Sequence, residues 1–186
     1  MNKYLVMSLM IVIFILGVAF GYYLTPEYAN LKSLASHDGL GKADKYLDLR
    51  FINGLIAHHK SAIFMLEQVK KNSDRKELLG LADAIIVLDT KGIESLYLLK
   101  KEMFEDTREI SKFNKVNFGS KDKNFDLRFL NAMIIHHDEA ISVSKELLSK
   151  SFNDKSINLA NDVIELLSGN LAQLKTWRLD WYNVKE

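Results

Sequence analysis

Two adjacent pairs of histidines are the residues of this sequence whose type and spacing best suit a chemical role. His58-His59 and His136-His137 account for four of the five histidines. Neutral imidazole is the commonest side-chain ligand of transition metals. Two such pairs, brought together by facing helices, would offer four nitrogen ligands to one ion. The competing interpretation is that one histidine of each pair fills the edge of a core and bonds to a carbonyl, while the other is solvated.

Methionine sulfur lies in the same two segments of the chain. Met65 and Met133 accompany the first and second histidine pairs. Thioether is a soft ligand that favours Cu(I), although methionine alone is more often a filler of core gaps. The sequence therefore predicts copper as the first candidate ion and zinc as the second. The predicted ligands are His58, His59, His136 and His137, with Met65 and Met133 as auxiliary ligands.

Other metal and catalytic chemistries lack their characteristic residues. A carboxylate-bridged di-iron site needs glutamate three residues before histidine, and the residues found there are Leu55, Ile56, Met133 and Ile134. Cysteine is absent, which excludes iron–sulfur clusters, cysteine zinc sites and thiol nucleophiles. No nucleophile elbow, P-loop, zinc-protease or dinucleotide motif occurs. We therefore predict a binding protein and not an enzyme. Bis-histidine haem remains an alternative, although the apolar stripes offer little small-residue room for it.

The histidine pairs belong to an internal repeat. DLRFINGLIAHH at 48–59 matches DLRFLNAMIIHH at 126–137, with eight of twelve positions identical at an offset of 78 residues. The match continues into Ala62-Ile63 against Ala140-Ile141. A duplicated unit of about 60 residues is typical of a supersecondary module that buries its apolar face against its copy.

Each repeat reads as a helical hairpin. Leu47, Phe51, Leu55, Leu66 and Val69 recur at helical spacing, and His59 lies further inside that stripe than His58. Turn residues at 72–74 and 151–154 separate the helices of each hairpin, and 105–123 connects the repeats. The sequence predicts an all-α four-helix bundle over 44–183, with repeats at about 44–104 and 123–183.

Both repeats begin with an aspartate that is followed two residues later by an arginine. Asp48 lies about 16 Å along its helix from His59, so the two cannot share an ion. We predict instead that Asp48 and Asp126 pair with Arg50 or Arg128, or cap neighbouring backbone.

The N-terminal segment predicts a membrane anchor. Residues 4–24 carry no charge and are long enough for one helical crossing. A cleaved signal peptide is the alternative, but the apolar run is long and Ala19-Phe20-Gly21 is a poor cleavage site. Lys3 favours an inside N-terminus, which places the rest outside the cytoplasm at the cytoplasmic (inner) membrane. Residues 1–25 would form the anchor and 26–43 a stalk.

Charge argues against a nucleic-acid partner. Lys3 is the only charged residue before Glu27, so the remaining chain carries 24 basic and 24 acidic side chains. A nucleic-acid binder needs a basic face to meet phosphates. The predicted partners are the membrane, a metal ion and, on the alternative interpretation, an envelope protein docked on a bundle face.

Taken together, these residues resemble the family known as domain of unknown function 305. Its signature is Asp-x-x-Phe-x-x-x-Met-Ile-x-His-His-x-x-Ala-Ile-x-Met. The first copy matches at Asp48, Phe51, Ile56, His58, His59, Ala62, Ile63 and Met65, with Leu55 in place of the first Met; the second matches at Asp126, Phe129, Met133, Ile134, His136, His137, Ala140 and Ile141, with Val143 in place of the later Met. The resemblance implies a ferritin-like bundle, export or membrane anchoring in bacteria, and a kinship with periplasmic copper-binding proteins.

The second helices depart from the family pattern. The family carries Gln-x-x-Glu-Ile-x-x-Met-x-x-Trp there. This chain has Asp89, Gly92, Ile93, Leu96 and Leu99 in the first copy, and Leu167, Asn170, Leu171, Leu174 and Trp177 in the second. The leading hypothesis is a membrane-anchored copper-binding protein for sequestration or delivery, with a weaker site than a full-signature member. The alternative is a metal-free envelope interaction module that keeps a relic of the site.

Overall fold

The computed structural model describes residues 39–184, and this part of the chain folds into four α-helices without a β-strand. The helices are α1 (Leu47–Asn72), α2 (Lys76–Phe104), α3 (Phe125–Leu148) and α4 (Asp154–Tyr182). The predicted all-α architecture of two helical hairpins is confirmed. The segments between the helices are 73–75, 105–124 and 149–153. They lie within three residues of the predicted turns and connection, because their Asn, Ser, Asp and Gly residues interrupt the apolar period.

The predicted transmembrane anchor at 1–25 and most of the stalk at 26–43 lie outside the described residues. Among residues 39–184, no helix combines the length and the apolar character that a membrane crossing requires. Anchoring therefore stays a prediction from the sequence.

The core forms where α1 and α3 bring their apolar stripes together. Phe51 and Phe129 occupy equivalent positions in the two repeats, and neither exposes any surface. Around Phe51 packs a cluster that includes Ile52 and Ile56 of α1 and Leu147 of α3. Helix α2 packs mainly on α1, and α4 packs mainly on α3. The inner pair of helices, which carries both histidine pairs, is thus held between two outer helices.

The connection between the hairpins runs beside α1 in the same direction as that helix. Lys60 Nζ donates to the Ile110 carbonyl at 2.8 Å, and further along α1 Gln68 Nε2 donates to the Val116 carbonyl at 2.7 Å. These hydrogen bonds satisfy backbone groups that an irregular segment would otherwise leave without partners. The connection therefore delivers the start of α3 to the C-terminal end of α1.

Contacts at both ends of the pair show that α1 and α3 are antiparallel. Near the end of α1, Arg75 Nε lies 3.4 Å from Asp126 Oδ2 in the first turn of α3. Before the start of α1, the Leu40 amide donates to Glu146 Oε2 near the end of α3 at 3.0 Å. An antiparallel pair of equivalent helices has an approximate two-fold axis across its middle, so residues at the same place in each repeat can face each other there.

An arginine in the first turn of each inner helix binds the loop that precedes it. Arg50 Nε donates to the Leu40 carbonyl at 2.7 Å and Nη1 to Asp44 Oδ1 at 2.8 Å. The second repeat reproduces this arrangement 78 residues later, with Arg128 Nε on the Phe118 carbonyl at 2.7 Å and Nη1 on Asp122 Oδ1 at 3.0 Å. The structural repeat therefore begins at Leu40 and Phe118.

The predicted pairing of Asp48 and Asp126 with Arg50 or Arg128 is wrong. Side chains in a helix lean towards its N-terminus, so the two arginines reach back to the preceding loops. The two aspartates meet the opposite repeat instead. Asp48 Oδ1 accepts from Ser151 Oγ at 2.5 Å, and Asp126 faces Arg75. These side chains join the repeats at the two ends of the inner helix pair.

Candidate metal centre

The two histidine pairs meet at the middle of the inner helix pair. The rings of His58 in α1 and His136 in α3 stack with centroids 3.7 Å apart and planes inclined by 7°. They are equivalent residues, so the stack lies where the approximate two-fold axis of the antiparallel pair crosses the interface. His59 and His137 flank the stack, with ring centroids 5.9 Å from His58 and 6.3 Å from His136 respectively.

Helix α2 holds the outer histidine of the first pair. His59 Nδ1 lies 2.9 Å from Asp89 Oδ1, and the side chains expose 25% and 14% of their surface. One turn further on, Gly92 lets α2 approach the same ring, since a Cβ there would stand 3.4 Å from His59 Nε2. A carboxylate accepts hydrogen bonds and does not donate them, so Nδ1 carries the proton and Nε2 carries the lone pair.

The second histidine pair, His136 and His137, makes fewer side-chain hydrogen bonds than the first pair. His137 is buried, with 8% of its surface exposed. Within the described part of the chain, buried His137 Nδ1 and His136 Nε2 have no hydrogen-bond partner. A buried polar atom without a partner costs free energy, and in the tautomer that leaves such a nitrogen without a proton, its lone pair is available to a metal ion.

Burial keeps the central histidines uncharged. Burial is the main cause that lowers the pKa of His58 well below its usual range. Electrostatic repulsion between the charged form of His58 and the rings of His136 and His59 lowers it further. Burial likewise lowers the pKa of His136 to about 3 and that of His137 to about 4, the latter against the opposing charge of Asp89. Near neutral pH these imidazoles are therefore in the form that binds metals.

The donors suit a metal ion, but the stacked arrangement is not yet a coordination sphere. Lone pairs of imidazole lie in the ring plane, so two parallel rings 3.7 Å apart cannot both direct a nitrogen at one ion. Consistent with this, residues 39–184 contain no group of three or more His, Asp or Glu side chains arranged to hold a metal. At least one stacked ring must rotate before His58 and His136 can share an ion.

The structure places the two predicted methionine ligands in the core. Met65 and Met133 expose 1% and 3% of their surface. Met133 lies within one turn of His136 and His137 on α3, whereas Met65 lies about 10 Å along α1 from His58. Met133 is thus the thioether nearer to its histidine pair along the helix.

The relative depth of His58 and His59 differs from the prediction. The helical wheel put His59 further inside the apolar stripe, yet His58 is the residue that meets the opposite repeat. His59 keeps a quarter of its side chain exposed and turns to α2. A helical wheel of one helix cannot predict which of the two histidines is more buried, because the position of the partner helix decides which edge of the apolar stripe is covered.

Sequence reasoning missed Asp89 and Gly92 as residues of the site. Asp89 is a carboxylate within the apolar stripe of α2, between Ile85 and Ile93 at four-residue spacing. A charged residue on a core-facing stripe needs a partner, and that signal could have identified it.

The buried histidines make stability depend on pH. The pKa of an unfolded histidine is near 6.5, whereas burial lowers the pKa of folded His136 to about 3 and that of folded His137 to about 4. Stability is therefore fully present above pH 6.5 and is lost as pH falls towards 4, by at most about 1.4 kcal/mol per pH unit for each histidine. Urea unfolding of the metal-free chain between pH 7 and 4 measures this. An equal slope in the variant with all four histidines replaced by alanine would contradict it.

Glu139 changes the pH dependence of stability in the direction opposite to the histidines, and its substitution is the control for that experiment. Burial raises its pKa from 4.5 to about 7, so its contribution is present below pH 4.5 and is lost as pH rises through 7. Glu139→Gln should therefore steepen the increase of stability between pH 4.5 and 7.

This chain is similar to one family of proteins and to several solved structures. The family model "Domain of unknown function (DUF305)" matches residues 27–100 and 99–178. The Cu(II)-bound form of CopM has a TM-score of 0.62 and 26% identity, covering 73% of this chain and 97% of that chain. The Cu(I)-bound form has a TM-score of 0.61 and 27% identity, covering 73% and 97%. The apo form has 0.63 and 27%, covering 73% and 98%. None of the curated proteins matches this chain.

Proposed function

This chain belongs to the family described as Domain of unknown function (DUF305), and from that premise we propose that it binds copper through its histidine cluster, as cargo for sequestration or delivery. The observation that carries the proposal is the meeting of His58, His59, His136 and His137 between α1 and α3. CopM, a similar protein, has been solved with Cu(I) and with Cu(II), which supports copper as the ion.

The stacked arrangement of His58 and His136 suits an ion that is taken up and released. Binding must exchange the contact between the stacked His58 and His136 rings for bonds to the metal. The free energy lost with the ring stacking lowers the net affinity for the metal ion, so the bound ion can be released. The unpartnered nitrogens of His136 and His137 gain a partner in return. These features favour a carrier and not a catalytic metal centre.

The copper content of the purified chain tests the proposal. The full-length protein, expressed with copper in the medium and purified in mild detergent without chelators, is expected to retain about one copper per chain. The variant with alanine at His58, His59, His136 and His137 should retain none. His37→Ala, which removes the fifth histidine, is the matched control and should bind as the wild type does.

We further propose that the protein is a single-pass protein of the cytoplasmic membrane with its helical domain outside the cytoplasm. The uncharged run at 4–24 supports this. The chain should resist carbonate extraction, and protease added to intact spheroplasts should digest the domain. Release of a shorter, soluble mature chain would show that the segment is a cleaved signal.

The second candidate is a metal-free interaction module. Exposed apolar side chains on the outer helices favour it: Val87 and Leu88 on α2 expose 55% and 60% of their surface, and Leu166 on α4 exposes 66%. Such residues could meet an envelope protein. This candidate takes first place if the wild type and the variant without the four histidines hold equally little copper.

A further inference from the structure

The histidine cluster is asymmetric, because among residues 39–184 a carboxylate binds a histidine ring in the first repeat but not in the second. Asp89 of α2 binds His59 Nδ1 at 2.9 Å. The equivalent position of α4, 78 residues later, is Leu167, and the equivalent nitrogen, His137 Nδ1, is buried without a hydrogen-bond partner in the described region. The helices therefore follow an approximate two-fold symmetry that the residues around His59 and His137 do not share.

Asp89 fixes the tautomer of His59. Because the carboxylate accepts a hydrogen bond from Nδ1–H, the lone pair of the ring is held on Nε2. A carboxylate on the far nitrogen of a ligating histidine orients the ring and raises its basicity, and losing such a partner typically costs about 10–100-fold in metal affinity. Both side chains are mostly buried, with 25% of His59 and 14% of Asp89 exposed, so packing as well as the hydrogen bond holds the orientation of the ring.

The charge of Asp89 also discriminates between ions. The attraction between a fixed negative charge and a bound ion grows in proportion to the charge of the ion, so a divalent ion gains about twice as much as a monovalent one. Imidazole suits Cu(II) and Zn(II), whereas Cu(I) gains most from thiolate and thioether. On the described part of the outer helices, Asp89 is the charged residue in contact with a histidine of the cluster.

We propose that Asp89 is a positioning residue that makes the histidine cluster select divalent Cu(II) and Zn(II) over Cu(I). This inference rests on the proposed function, since it concerns the same four histidines. Beyond copper binding itself, the inference states that the site prefers divalent ions and that Asp89 causes this preference.

Asp89→Asn tests the inference in the full-length chain purified in detergent. Asparagine keeps the size and a hydrogen-bonding oxygen but removes the charge. Affinities for Cu(II), Zn(II) and, under reducing conditions, Cu(I) are measured by competition with chelators of known strength. We expect losses of about 10–100-fold for Cu(II) and Zn(II). Half of that free energy corresponds to a smaller loss of about 3–10-fold for Cu(I). The EPR spectrum of the Cu(II) form should change as well.

Two further variants separate positioning and charge from a general loss of structure. Asp89→Glu keeps the charge and should keep the preference for divalent ions. Glu94→Gln removes one exposed negative charge from the same helix and should leave all three affinities unchanged. The melting temperature of each metal-free variant reports whether it folds.

The outcomes are distinguishable. Equal losses for all three ions would overturn the selection of divalent ions and leave Asp89 with a structural role. Unchanged Cu(II) and Zn(II) affinities in Asp89→Asn would overturn the inference while copper binding by the histidines stands. A wild-type chain that binds no ion would overturn the proposed function and this inference with it.

Discussion

Simultaneous replacement of His58, His59, His136 and His137 by alanine is expected to abolish saturable copper binding to the full-length chain. The structure gathers the four rings around one stack between α1 and α3, and burial keeps the central ones neutral and able to ligate. Without them, we expect the apparent affinity to fall by at least about 100-fold, because no other soft or borderline nitrogen ligand remains in that position. Isothermal titration of wild type and variant at neutral pH measures the loss.

The same variant should lose the stabilisation that copper provides. A ligand that binds only the folded state, at 100 times its dissociation constant, adds about 2.7 kcal/mol to the free energy of unfolding. Melting curves with and without copper should therefore separate for the wild type and for His37→Ala and coincide for the quadruple variant. Equal saturable binding by the wild type and the quadruple variant would refute the histidine site.

Truncation of either central phenylalanine is expected to cause the largest loss of stability. Phe51 and Phe129 are completely buried at equivalent positions of the two repeats. Phe129 also makes an edge contact with the ring of Phe118, with centroids 5.9 Å apart. Replacement of either by alanine should lower the free energy of unfolding by about 3–5 kcal/mol, from lost burial and from the cavity left between packed helices. Urea titrations followed by helical circular dichroism measure it.

Phe152→Ala is the matched control for this series. The side chain lies in the turn between α3 and α4 and exposes 98% of its surface. Its truncation should change stability by no more than about 0.5 kcal/mol. Losses below about 1 kcal/mol at both Phe51 and Phe129 would mean that these faces of α1 and α3 are not the core.

The helices and their grouping into repeats could be predicted because they depend on local information. The apolar period over 47–69 and the identity of eight residues between 48–59 and 126–137 are properties of short segments. Turn residues such as Asn72 and Asn153 end or begin a helix through their own side-chain chemistry; Asn153 accepts from the Ser156 amide at 3.2 Å. The sequence also identified the paired histidines, since their duplication within apolar stripes is visible without a fold.

The arrangement of the site depended on packing between segments far apart in the chain. Only the antiparallel alignment of α1 and α3 sets His58 against His136, and only the packing of α2 on α1 brings Asp89 to His59 across 30 residues. The sequence determined which residue types the protein offers to a metal. The tertiary structure decided which of them face each other, because side chains on different helices acquire neighbours only when the helices dock.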